Sequence, residues 1–384
     1  MNYCMHGSHN RYFKRITHDC KILFGHIGAV VLVSFIFACS SIPSSHRERQ
    51  LVVENGQPVR YSMVFIIHGD GDYLYHDTRG QAYRADEEAL IGATRVAMDN
   101  PQAEVFIFHE RPRQYAFLFF LLRDGAFYYY RYGQLVIKEN YWRNQGSSRF
   151  DPEVALYNRF KAVEQPKSVK LFFYFGHEIP EFDGKGYDAS NKQQEFTVDD
   201  LADGLKRILS DNQKYDLLVL STCFNGTPHT IATFAPYART IVASPGNIHL
   251  SYFDLQPFER LDVKLRERDM DSFAMMFAHQ SFDRLAKEIQ TAITIAVYDT
   301  DRVWEYVTSV ESVYEHALTE LNGLTPGYIE HCDCAEEPAY ILQGMSEGVD
   351  IFYRPAQFGR SKRKQDHSGW ECWRLIESRA AASH

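Results

Sequence analysis

The chain has little with which to hold a polyanion. Its 384 residues carry 41 Lys and Arg against 50 Asp and Glu, a formal net charge of −9. Nucleic-acid backbones are gripped by clustered basic side chains, so that class of partner is excluded. A dense basic run does occur at 360–364, and it reads as a solvated tail. Internal repeats and low-complexity tracts are lacking too, which excludes solenoids and arrays built by repetition. Cysteine is scarce, with seven residues. The cluster His331-Cys332-Asp333-Cys334 has no second well-spaced pair to complete a metal site, so no metal is expected.

What is present begins at the N-terminus. Arg11, Lys14, Arg15 and Lys21 precede an apolar run over 22–38, interrupted mainly by Gly25, His26, Gly28 and Ser34. A charged n-region followed by such an h-region is the pattern of an export signal, too short and too early for a spanning helix. The run closes on Ile36-Phe37-Ala38-Cys39 ahead of a Ser/Pro-rich spacer, which resembles a bacterial lipoprotein signal with Cys39 as the lipidated residue. This predicts a signal peptide over 1–38, a lipidated N-terminus and linker over 39–58, and a protein anchored to the bacterial cell envelope, the alternatives being secretion or a single membrane anchor. Of the remaining cysteines, Cys372 can pair with Cys332 or with Cys334 in an oxidising compartment, leaving Cys223 as a free thiol.

Beyond residue 58 strands and helices alternate. Strands are expected at 63–67, 105–108, 169–175, 217–220, 240–243 and 293–298, from short apolar runs ending in polar residues. Helical spacing appears over 86–98, 230–237, 272–290 and 301–321, and Thr197 with Asp200 forms a capping-box pattern ahead of Leu201, Leu205, Ile208 and Leu209. Alternation of this kind predicts a mostly parallel sheet covered by helices on both faces. Asp124-Gly125, between two β-prone aromatic runs, predicts a hairpin insertion turning at that dipeptide. The stretch 322–384 has mixed composition and only short apolar runs, and is taken as a C-terminal extension.

Two strands carry the chemistry. Leu217 to Leu220 form a buried run that ends at Cys223, and the strand over 169–175 ends at His177. A lone cysteine is usually an inert core thiol. Here a loop and one helical crossover join the two strands, so they should be parallel neighbours with both residues at the same sheet edge. A thiol needs a base or a positive neighbour to become a nucleophile, and His177 is placed to supply one. The loop bearing His68, Asp70 and Asp72 reads as another part of that edge.

At this level the sequence resembles the clostripain-related cysteine peptidases, relatives of caspases, gingipains and legumains. The likeness covers most of 62–321. It is carried by MVFIIHGDGDYL, LFFYFGHEIPEFDGKGYD, FTVDDLADGL, LLVLSTCFNG, ARTIVASPG and a long segment that begins SFAMMFAHQSF. The resemblance implies a caspase-like three-layer α/β/α sandwich over 59–321. It also implies peptide-bond hydrolysis with Cys223 as nucleophile and His177 as general acid/base, no cofactor, and a peptide or protein as substrate. The oxyanion would be held by backbone N–H groups near Cys223 and at Glu178. Glu178 stands where the family usually has Gly. Ser221 stands where it usually has the Asp that helps bind a basic residue before the scissile bond, and Asp254 or Glu178 is left to compensate. These departures motivate an alternative, a catalytically inactive caspase-like lipoprotein that acts as a binding module.

Overall fold

In the computed structural model the described residues are 59–375, apart from 71–73, 77–81, 117–118, 145–148, 163–167, 210–211, 249–252, 266–268, 322–328, 341–344 and 346. The expected signal, Cys39, the linker and Asp72 lie outside them. No helix among the described residues is long and apolar enough to cross a membrane.

Tyr61–His68 (β1) is buried along its whole length, as a strand covered on both faces must be. It pairs in parallel with Ala103–Glu110 (β2) on one side and with Val169–Phe175 (β5) on the other. Tyr215–Ser221 (β6) adds in parallel to β5, and Ala238–Ala243 (β7) to β6. Antiparallel strands close both ends of this block. Gly125–Arg131 (β3) and Gln134–Tyr141 (β4) follow β2, while Ile293–Asp299 (β8) and Val349–Arg354 (β10) follow β7. The nine strands run β10-β8-β7-β6-β5-β1-β2-β3-β4.

Strand alternation sends side chains to two separate cores. Met63, Phe65, Leu171, Phe173, Leu217 and Val219 pack beneath Ala85–Asp99 (α1) and Met270–Glu288 (α5). Val64, Ile66, Phe172, Tyr174, Leu218 and Leu220 pack beneath Asp151–Phe160 (α2), Val198–Ile208 (α3), Pro228–Phe234 (α4) and Thr300–Leu321 (α6). The result is the expected three-layer sandwich. Helix starts follow local chemistry: Thr197 and Asp200 form the capping box of α3, and Thr227 caps α4 with Pro228 in its first turn.

Two expectations need correction. The hairpin does not turn at Asp124-Gly125. Asp124 is buried and its carboxylate accepts the Arg143 N–H, while Gly125 already lies in the ladder between Glu110 and Tyr141. The turn falls at Tyr132-Gly133, both at positive φ (54° and 71°), the pairing a tight two-residue hairpin needs. A separate short pair, Tyr115–Ala116 with Phe120–Leu121, precedes it.

The C-terminal stretch, in turn, is built into the fold. It supplies β10 to the central sheet, and Ile329–Asp333 (β9) pairs antiparallel with Glu371–Leu375 (β11). Cys334 and Cys372 form a disulfide across this hairpin, resolving the choice between Cys332 and Cys334. Cys332 remains a buried thiol, pushed up to about 12 by burial. The described residues fall in one compact unit.

Candidate active site

Strand register brings His177 and Cys223 together. Phe175 and Ser221 are partners across the parallel pair β5 and β6, and each candidate stands two residues beyond its strand's last paired position. Parallel neighbours run about 4.8 Å apart, so both side chains belong to adjacent loops at the carboxyl edge of the sheet.

A buried asparagine ties these loops together. Asn225 accepts the Ile179 N–H at 2.9 Å and donates to the Ile179 carbonyl at 3.0 Å, while the Thr222 hydroxyl donates to its Oδ1 at 2.6 Å. The loop carrying the thiol and the loop carrying the imidazole are thereby fixed as one piece. Phe224, directly after Cys223, holds φ 56°, a region that costs a bulky residue energy. It is retained there by its N–H, which donates to the Gly246 carbonyl at 3.1 Å. Gly226 follows in a gap that no Cβ could enter: one would stand 2.6 Å from the Tyr298 hydroxyl and 2.7 Å from the Pro245 nitrogen.

The electrostatics of the pair suit proton transfer. His177 is half-buried, and burial, with the charge of His68 adding to it, lowers its pKa to about 4. At neutral pH its ring is neutral and able to accept a proton. Its Nε2 lies 3.3 Å from Oδ1 of Asp70, whose carboxyl burial pushes up to about 6 despite the opposing influence of His68. The Cys223 thiol is part-buried and donates to Asn247 Oδ1 at 3.3 Å.

The remaining sequence candidates are placed as follows. Ser221 is fully buried, and its hydroxyl accepts the Phe253 N–H at 2.9 Å, pinning the segment that follows β7. Asp254 is exposed and accepts the Gln256 N–H at 3.0 Å, which starts a 3-10 turn. Glu178 is partly exposed and faces His331 Nε2 at 3.1 Å. His68, the last residue of β1 at the same edge, is buried: its Nδ1 lies 2.8 Å from Glu110, and its Nε2 donates to the Tyr187 carbonyl at 3.1 Å. Arg143 joins Glu110 and Asp188 at 2.8 and 2.9 Å. Burial works against the Glu110 charge, but Arg143, His68 and Tyr187 together outweigh it and hold this carboxyl below the usual range.

Sequence reasoning missed Asn225, Asn247 and the buried Glu181, and it read His331 only as part of a possible metal cluster. Glu181 accepts from Thr227, from Thr230 at 2.8 Å, from Tyr314 at 2.9 Å and from Trp373 Nε1 at 3.2 Å. Only Asn225 left a trace, as a polar residue inside the otherwise tight TCFNG turn. The spacing Gly344-x-Ser346-x-Gly348 also occurs in the chain. It stands directly ahead of β10 and not between a strand and a helix, so the context of a serine nucleophile elbow is missing. Among the described residues no group of three or more His, Cys, Asp and Glu is placed to hold a metal ion.

Residues 177–337, which start at the candidate histidine and include Cys223, match the family model of the clostripain family. Over that stretch the chain resembles the clostripain family. The match supports a cysteine-type peptidase. Two solved structures share its architecture. One is an inactive zymogen C11 protease from Parabacteroides distasonis, 15% identical, covering 83% of this chain and 92% of that one at a TM-score of 0.53. The other is a secreted C11 cysteine protease from Bacteroides thetaiotaomicron in complex with an irreversible peptide inhibitor, 11% identical, covering 83% and 90% at 0.50. At such identities these two speak to the fold, which is caspase-like. None of the curated proteins compared matches the chain.

Proposed function

We propose that this clostripain-like protein is an endopeptidase working through a Cys223–His177 dyad, held on the outer side of a bacterial membrane by lipid on Cys39. The register that sets His177 and Cys223 two residues past paired positions, with Asn225 joining their loops, carries the reading. The neutral His177 ring takes the Cys223 proton as the sulfur attacks the scissile carbonyl carbon. A tetrahedral oxyanion forms, and the Glu178 N–H is the donor the family likeness assigns to it. The imidazolium then protonates the departing amine, leaving a thioester on Cys223. His177 next deprotonates a water, which attacks the thioester, frees the acid and returns the thiol.

Among the described residues, none of the three sequence candidates is set to pair with a basic residue before the scissile bond. Ser221 is buried, Glu178 already faces His331, and the exposed Asp254 caps a turn. The substrate preference proposed is therefore for an uncharged residue at that position. The Cys334–Cys372 bridge supports an oxidising compartment, in keeping with the export signal.

The test is reaction of the chain with peptidyl thiol-directed probes varied in the residue before the reactive group, read by intact mass. An adduct lost in Cys223→Ala and much slowed in His177→Ala is expected. A folded protein that takes up none of the probes would instead be the inactive binding module. Anchoring is checked by membrane partition, which Cys39→Ser should abolish.

A further inference from the structure

One side chain from the C-terminal hairpin touches the residue that follows each member of the dyad. His331, on β9, stacks on the Phe224 ring at 4.0 Å with the planes 8° apart, and its Nε2 faces Glu178 Oε1 at 3.1 Å. Phe224 follows Cys223 and holds the strained φ of that loop; Glu178 follows His177. On its other side His331 packs against Trp373 of β11 at 3.8 Å. Further bonds hold the hairpin in the same place. The Glu371 N–H donates to the Gly226 carbonyl at 3.2 Å, and Trp373 Nε1 donates to Glu181 in the histidine loop.

We propose that His331 is a positioning residue of the active site, a single ring that sets the Cys223 loop by stacking on Phe224 and the His177 loop by binding Glu178. This rests on the dyad proposed above. It also accounts for Glu178: a carboxylate in that position serves the fold by having a partner on β9. A 1 Å error in such a pair costs on the order of a hundredfold in rate, so a ring that fixes both loops acts on turnover more than on substrate binding.

The ring is also the pH-sensitive part of the clamp. The charged groups facing it are Glu178 and Glu181 from the histidine loop and Glu371 from β11, while Phe224 and Trp373 are uncharged. Burial opposes its charge, but the Glu178 bond and these carboxylates outweigh burial and raise its pKa. The charged pair is therefore complete below that raised value and is lost as pH rises through it.

The experiment compares the full chain with His331→Ala, His331→Gln and Cys223→Ala, using the best-cleaved member of a fluorogenic peptide library varied before the scissile bond. Melting temperature is measured for each. His331→Ala should lower kcat about tenfold or more with KM little changed. His331→Gln, which keeps a donor for Glu178 but neither stacks as a ring on Phe224 nor titrates, should recover part of kcat and lose the alkaline fall that the ring contributes. Wild-type kcat and an unchanged pH profile in a folded His331→Ala protein would overturn the proposal while leaving the dyad intact. So would His331→Gln behaving like His331→Ala. Cleavage that persists in Cys223→Ala would instead overturn the dyad, and with it this inference.

Discussion

Asp70 shows what the site costs at the scale of one residue. Its carboxyl is buried beside His177 and pushed from 3.8 up to about 6. Between those values the folded protein binds a proton that the unfolded chain does not. The carboxylate therefore destabilises the fold fully above pH 6, and the penalty fades as pH falls toward 4. Two pH units correspond to about 3 kcal/mol. Asp70→Asn should accordingly raise the melting temperature at pH 8 and leave it near wild type at pH 4, while kcat falls because His177 loses its oriented neighbour. Equal melting-temperature differences at both pH values would show that the carboxylate is not strained there. Asn225 predicts the opposite balance. It is buried and makes three hydrogen bonds within the site, so Asn225→Ala should lose about 3 kcal/mol in denaturant titration, since buried Ile179 groups are left without partners. Activity should fall with it.

At the scale of elements, the loop after β6 is a tight turn closed by contacts from distant strands. Gly226 lies against Pro245 and Tyr298, and its N–H donates to the Ser244 carbonyl at 3.1 Å. Gly226→Ala should push this loop off register with the histidine loop, lowering kcat at least tenfold for about 2 kcal/mol of overpacking. Full activity in Gly226→Ala would mean that the loop can move without harm. The same contrast explains what could be read in advance. Buried runs such as Leu217 to Leu220, and caps such as Thr197 with Asp200, are written in adjacent residues, so the parallel block, its crossovers and the edge bearing both candidates were legible. Local signals failed where long-range pairing won. Asp124-Gly125 resembles a turn, yet ladder partners on both sides claim Gly125 for a strand. Asn225 and Glu181 act on loops and helices far along the chain, and no periodicity marks such a role. The fate of Ser221 was equally hidden, because its partner is the Phe253 backbone, 32 residues away.

At the scale of the whole molecule, the C-terminal stretch packs back onto the fold. β10 completes the sheet edge, and the β9–β11 hairpin lies over the loops of the site, closed by Cys334–Cys372. Composition alone made this stretch look like an appendage, because its short strands find their partners only in the folded chain. Closing a loop of 38 residues limits the unfolded chain by about 4 kcal/mol. The variant that tests this has to respect a third thiol. Cys332 stands directly opposite Cys372 in the ladder, so Cys334→Ser leaves a substitute bridge within reach, whereas Cys372→Ser leaves none across the hairpin. Cys372→Ser should lose about 4 kcal/mol in equilibrium unfolding, and kcat should fall as His331 is freed. A distinctive response to reductant follows. Low concentrations of dithiothreitol keep Cys223 a thiol and raise activity, whereas high concentrations open Cys334–Cys372 to two thiols and lower it. Wild-type activity should therefore pass through a maximum as dithiothreitol increases. In Cys372→Ser, where no bridge remains to be opened, activity should rise to a plateau, and a decline there equal to the wild type's would locate the sensitive bond outside the hairpin.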